Sequence, residues 1–254
     1  MRIHTPPEKG RQGVLTKLGA TVGRGSAERF PSKWTEGMSL HACITPQEKL
    51  AWIFISRYNE TKVSVAAVKI YTVGHSNRRE DDFISLLEKN DIKLLVDVRA
   101  FPSSKKYPHF NKKNLIAILP RKYMEYLWFG RELGGYRKES EGLGQDSPNT
   151  GWEAGGFRVY ADYMLTDRFK MAADHLVKLA EAKKTAILCA EKFYWRCHRR
   201  LISDFLQSLG HDVCHIIDKE TTKPHQITQF ARVKDARLTY ASPTSGSNRR
   251  LPFP

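Results

Sequence analysis

Thr185-Ala-Ile-Leu-Cys189-Ala-Glu-Lys-Phe-Tyr-Trp-Arg-Cys197-His-Arg-Arg-Leu201 is the stretch on which the fold of this chain turns. A short apolar run leads in and an amphipathic one, Leu201 to Leu209, leads out, so the order reads strand, loop, helix. Between them lie two thiols, a carboxylate, an imidazole and several guanidinium groups. That mixture is too polar for a core and too specific for a linker. The loop marks a site.

Two earlier segments repeat the layout. Lys69-Ile-Tyr-Thr-Val73 runs into Gly74-His75-Ser76 and then into a helical pattern with an acidic start. Lys93-Leu-Leu-Val96 runs into Asp97-Val98-Arg99 and a Pro/Ser-bearing loop. Strands alternating with helices predict an α/β fold of three layers around a mostly parallel sheet. In such sheets ligands bind beyond the carboxyl ends of the strands. His75, Ser76, Asp97, Arg99, Glu191, Cys197, His198 and Arg199 all fall there, so the expectation is one shared polar cleft.

The predicted elements are strands over 69–74, 93–98, 123–129, 185–190 and 212–217, and helices over 79–90, 112–119, 157–165, 168–182 and 197–209. A further short helix is expected over 225–233. Asn111 and Asp167 suit helix N-caps, Ser76 suits the cap of the helix that follows it, and Gly210 suits a helix stop. The Gly-rich stretch 130–155 is longer than an ordinary connection, which suggests a lid or binding loop. Residues 1–66 read as a basic, low-order extension with one short helix over Gln47–Ile55. This is either a genuine arm or the product of an upstream start, which mass spectrometry of the native N-terminus distinguishes. Residues 67–233 form the α/β domain, and 234–254 read as a flexible tail.

Four scattered cysteines exclude a disulfide framework. No apolar run is long enough to span a bilayer, so a cytoplasmic protein without membrane partners is expected. The net charge of +15 is spread as +5 over residues 1–66, +6 over 67–217 and +4 over 218–254, so no single tail carries it. Within the domain, the window 99–138 concentrates the basic residues, opposed only by Glu125 and Glu132, and interleaves them with aromatic rings. Cations that track phosphates beside flat rings that stack on bases suit nucleic acid, although Tyr123, Tyr126, Trp128 and Phe129 suit a buried strand equally.

Arg99, Arg137 and Arg199 offer forks for phosphate or carboxylate oxygens, with His75 and Ser76 as further donors and the Tyr194 ring as a stacking surface. Ion pairs Asp97–Arg99 or Glu191–Arg199 that staple loops are the plainer alternative. Asp97 and Glu191 suit general acid–base work, whereas nearby arginines would hold them ionised. Cys197, next to His198 at a predicted helix start, suits a nucleophile. However, consecutive helical residues diverge by about 100°, which places His198 poorly as its base. Zinc is disfavoured because the seven residues between Cys189 and Cys197 match no common ligand spacing, and no metal or cofactor is assigned.

The motifs Thr72-Val-Gly-His-Ser76, Asp97-Val-Arg99 with Pro102 and Ser104, Leu133-Gly-Gly-Tyr-Arg137, Cys189-Ala-Glu191 and Cys197-His-Arg199 together resemble the domain of unknown function 488 family, over roughly Val68 to Ile217. The resemblance implies a compact α/β fold and a polar cleft, without a settled activity. The family commonly has a proline near the position of Tyr194, so Phe193-Tyr194-Trp195 departs from its pattern. The function expected is an enzyme acting on a phosphate-bearing substrate such as nucleic acid or nucleotide. The alternatives are a non-catalytic nucleic-acid-binding module and a redox or metal protein using Cys189 and Cys197.

Overall fold

The computed structural model describes residues 66–242. The chain divides into two compact units, Met1–Lys62 and Val63–Pro254, and the described residues belong to the second. The helix expected over Gln47–Ile55 lies outside the described residues, as do the remaining residues up to 65 and those from 243 onward.

Five strands, β1 (Lys69–Gly74), β2 (Leu94–Asp97), β3 (Glu125–Trp128), β4 (Thr185–Cys189) and β5 (Asp212–Ile216), form a parallel sheet, and β6 (Thr222–Pro224) joins antiparallel at one edge. The order across the sheet is β3-β2-β4-β1-β5-β6. Every residue of β2 and β4 is buried. This is why both read as short, nearly unbroken apolar runs, as strands covered on both faces do. The helices are α1 (Glu80–Lys89), α2 (Lys112–Ile118), α3 (Gly130–Leu133), α4 (Gly155–Tyr163), α5 (Asp167–Ala182) and α6 (Arg199–Ser208).

Alternation along the strands divides the interior into two cores. Ile70, Val96, Ile187 and Val213 pack with α4, α5 and α6, whereas Val73, Leu95, Leu188 and Ile216 pack with α1 and α2. Connections from β1 and β2 run toward one edge and those from β3 and β4 toward the other, as right-handed crossovers on opposite faces require. The connections leaving the neighbours β2 and β4 therefore diverge. Their loops and the one after β1 meet at the carboxyl end of the sheet, as expected for a ligand crevice. Among the described residues no helix is long and apolar enough to cross a membrane.

Two expected caps are corrected, and the third, Asn111, holds the N-cap position without a capping bond. Ser76 is not a cap: it sits at φ +53°, and Arg79 occupies the N-cap of α1. Asn111 does precede α2, but its side-chain carbonyl accepts from Ser104 N instead of capping. Thr166, one residue before Asp167, caps α5 by accepting from Phe169 N at 3.4 Å. Gly210, at φ +90°, ends α6 as expected. The strand expected over 123–129 begins later, because Tyr123 is left-handed at φ +55° and 90% exposed.

The helix expected over 225–233 is absent. Instead β7 (Ala231–Lys234) and β8 (Arg237–Tyr240) form a hairpin, so residues 234–240 belong to the folded domain and not to a tail. Its turn places Asp235 and Ala236 at φ +50° and +56°, the mirror-image turn whose twist suits a hairpin. Leu238 and Tyr240 enter the core on the α4–α6 side.

The stretch 130–155 is anchored and does not hang free as a lid. Asp162 is buried and accepts from Leu143 N, Ser147 Oγ and Asn149 Nδ2. Tyr160 and Tyr163 donate their hydroxyls to the carbonyls of Leu133 and Glu132. Asp162→Ala leaves those three donors without their acceptor. Unfolding in urea should register a loss of about 3 kcal/mol, with the melting temperature falling by about 6–12 °C. A loss under about 1 kcal/mol would mean that water replaces the carboxylate.

Candidate functional site

The residues at the strand ends do not share one cleft; the sheet separates them into two groups. On the α1–α2 side, a cleft of about 600 Å³ is lined by His75, Ser76, Arg99, Phe101, Lys106, Tyr107, Glu191 and Lys192, among others. Asp97 lies beneath it, fully buried. Arg99 Nε donates to both Asp97 oxygens at 2.9 and 3.1 Å, Arg99 NH2 donates to Phe110 O at 2.8 Å, and the Tyr126 hydroxyl donates to Asp97 Oδ2 at 2.7 Å. The stapling ion pair is thus present, and Asp97 is placed to orient Arg99, out of reach of a substrate.

His75 completes this network. Its Nδ1 can only donate to the Ser76 carbonyl at 2.9 Å, so Nε2 is the lone-pair side that accepts from Arg99 NH1 at 3.1 Å. Burial, reinforced by the Arg99 charge, lowers its pKa to about 4. The ring stacks on Phe110 at 4.3 Å. His75 is a neutral part of the cleft floor with both nitrogens engaged. The carboxylate that remains accessible in the lining is Glu191, whose Oε1 accepts from Phe193 N at 3.2 Å. The exposed ring of Phe101, in the lining, lies 5.6 Å from the exposed ring of Tyr136.

Cys197, His198 and Arg199 were expected in the same cleft, but all three are buried on the α4–α6 side. His198 Nε2 must donate to Val98 O, 3.0 Å away, so the Nδ1 lone pair faces Cys197 Sγ at 3.5 Å and Cys189 Sγ at 3.9 Å. The divergence of about 100° between neighbours applies only inside a helix. In fact α6 begins at Arg199 and Cys197 is extended (φ −133°, ψ 149°), which lets the thiol and imidazole converge. The spacing argument against metal fails for a related reason: the two sulfurs come from a strand end and from a pre-helical turn. The hydrogen bond to Cys197, together with burial, pushes the Cys189 thiol up to about 12. Burial also raises Cys197, but the Cys189 hydrogen bond and the Arg199 charge outweigh it and bring that thiol down to about 6.

Arg199 is not an anion clamp. It is 1% exposed and donates to the Glu191 backbone carbonyl and, at 3.4 Å, to Thr72 Oγ1. Its contact to Glu191 is therefore with the backbone, and the expected ion pair with the carboxylate does not form. From Thr72 a buried chain continues to His215 Nδ1 (2.7 Å), from His215 Nε2 to His225 Nδ1 (2.9 Å), and from His225 Nε2 to Asp204 Oδ1 (2.8 Å). With neutral rings each link donates toward Asp204, which also accepts from Thr228 N, Thr228 Oγ1 and the Tyr240 hydroxyl. Sequence reasoning missed this chain. Its only local signal was a polar residue in each of two apolar strands, Thr72 and His215, which pair directly in register.

Arg137 is also outside the cleft lining. It donates to the carbonyls of Arg131 and Glu132 and stacks over the Tyr163 ring at 3.6 Å, which stiffens the 130–155 stretch. Tyr194 is half-buried, with its ring stacked on His215 at 3.4 Å, so that face is unavailable to a ligand. The motif glycines serve close packing. A Cβ on Gly134 would meet Gly130 O at 2.2 Å, and one on Gly135 would meet His198 Nδ1 at 2.5 Å.

The mostly parallel sheet, with a polar crevice where its connections diverge, places the chain among α/β proteins with strand-end sites. The family model described as Domain of unknown function DUF488 matches residues 79–206, half of the sequence, and the chain belongs to that family. The match is narrower at both ends than the resemblance carried by the motifs, and β1 with His75 lies outside it. No curated protein and no solved structure matches the chain.

Proposed function

We propose that the strand-end cleft takes a phosphate-bearing substrate, a nucleotide or a segment of nucleic acid, and that the protein acts on it. The observation that carries this reading is the lining itself. Lys106 and Lys192 share the lining with Arg99, without ion-pair partners among the described residues, and so does the exposed ring of Phe101, which has Tyr136 beside it. Cations beside exposed rings suit a phosphate attached to a base. Glu191 is the group available for proton transfer, with Asp97 and His75 holding Arg99 in place.

Binding of a fluorescent single-stranded oligonucleotide across a salt series tests the ligand. Removing both amines in Lys106→Ala/Lys192→Ala should make the slope of log K against log salt shallower by about 1.4, or roughly 0.7 per lost phosphate contact on a single strand. An unchanged slope would make both lysines part of a solvated face. A non-catalytic binding module is the second reading, favoured because Asp97 and both nitrogens of His75 are engaged internally. Glu191→Gln separates the two: an enzyme loses turnover while keeping affinity, and a module loses neither affinity nor any downstream effect.

A further inference from the structure

We propose that Cys189 Sγ, Cys197 Sγ and His198 Nδ1 form a binding site for a single zinc ion, with a fourth position left to water or a small ligand. The three donor atoms lie within 4.8 Å of one another. The two N···S separations, 3.5 and 3.9 Å, compare with about 3.6 Å for the edge of a zinc tetrahedron built from ordinary Zn–S and Zn–N bonds. Both sulfurs therefore already stand at ligand spacing from the imidazole nitrogen.

Two further features hold the imidazole in the ligating orientation. The first is the carbonyl behind the imidazole. Val98 O fixes the proton on Nε2 and turns the Nδ1 lone pair toward the sulfurs, the arrangement in which a ligating histidine donates its other N–H to a backbone carbonyl. The second is Gly135, which packs closely on the same ring: a Cβ there would lie 2.5 Å from Nδ1 and 2.6 Å from Cγ. The Tyr160 ring holds the imidazole from another side, edge-on at 5.4 Å.

The donor chemistry selects the ion. Two thiolates and one imidazole suit a borderline-soft cation and not magnesium or calcium, which take oxygen ligands. Binding a divalent ion to two thiolates gives a neutral unit, which suits a buried position. Three protein ligands with one place open is also the pattern of catalytic zinc sites, as distinct from closed structural ones. The centre lies across the sheet from the cleft and stands or falls independently of the phosphate reading.

The test uses the full chain, purified with its thiols reduced and counted after denaturation, and equilibrated anaerobically with cobalt(II) and then zinc(II). One equivalent of cobalt should give the visible bands of a tetrahedral ion and a thiolate-to-cobalt charge-transfer band, both abolished by one equivalent of zinc. Cys189→Ala and Cys197→Ala should each lower zinc affinity at least 100-fold, and His198→Ala should lower it while the charge-transfer band persists. Cys43→Ala and Cys214→Ala should change nothing. Cobalt bound without a thiolate band, zinc retained equally by the Cys189→Ala/Cys197→Ala variant, or no metal bound by fully reduced protein would each overturn the assignment. Cys189 and Cys197 recovered as a disulfide that resists mild reductant would overturn it too. Should a cysteine variant fail to fold, the spectrum of the unaltered chain decides.

Discussion

Asp97→Ala is expected to lower the free energy of unfolding by about 4 kcal/mol, because it strands a buried guanidinium. Asp97 is fully buried and Arg99 is 6% exposed, so water cannot replace the carboxylate that takes the Arg99 side chain, the Arg99 backbone N–H and the Tyr126 hydroxyl. What remains for Arg99 is one carbonyl and one neutral imidazole, neither of which carries a compensating charge. Asp97→Asn keeps the volume and an acceptor and should fall between the two. Asp97→Leu/Arg99→Met removes both charges at once and should recover at least half of the loss, because a buried ion pair exchanged for apolar side chains is often close to neutral. Urea unfolding at pH 7 measures all three. A loss under about 1 kcal/mol in Asp97→Ala, with an unchanged denaturant slope, would show that the pair is solvated in solution.

Acid should produce the second large effect. Burial, then Arg99, lowers His75 to about 4, and burial, then His225 and Arg199, lowers His215 to about 2, from an ordinary value of 6.5. Below pH 6.5 the unfolded chain takes up protons that the folded protein refuses, so stability falls as pH falls. The His75 contribution is complete above pH 6.5 and is lost progressively down to about 4, where the folded protein begins to protonate as well, while the His215 loss continues below that. Around pH 5 the difference approaches two protons, or about 2.7 kcal/mol for each pH unit. Stability from urea unfolding should fall by about 1.4 kcal/mol between pH 7 and 6 and by about 2.4 kcal/mol between pH 6 and 5. A flat profile over the same range would mean that both rings are hydrated and ordinary.

The parallel sheet was legible because β1, β2 and β4 each place a short apolar run directly before polar residues, and few other folds use that order three times. The β7–β8 hairpin was not, and the reason is its turn. Asn-Gly or Asp-Gly would have announced left-handed backbone, whereas Asp235-Ala236 adopts it without the residue that usually marks it. The anchoring of the 130–155 stretch was hidden because Asp162 lies well beyond the donors it gathers. Within the site, the strand-end residues were identifiable one by one, but which face of the sheet each would join was not. Asp97 and Val98 are consecutive, yet one supports the cleft and the other backs His198. The Asp204 chain was beyond local reading altogether, since Thr72 and His215 are 143 residues apart.

Asp204 has a consequence for the order in which this domain can be completed during synthesis. Three of its acceptor contacts come from Thr228 and Tyr240, and a fourth from His225, all downstream of the family match that ends at 206. A nascent chain that has emerged only as far as the end of β5 already holds every parallel strand, yet carries this carboxylate with none of those four donors. The sheet strands are thus all present before the donors that satisfy the buried carboxylate of α6 have been made. A fragment trimmed to the family boundary would lack β1 and β5 as well as those four donors.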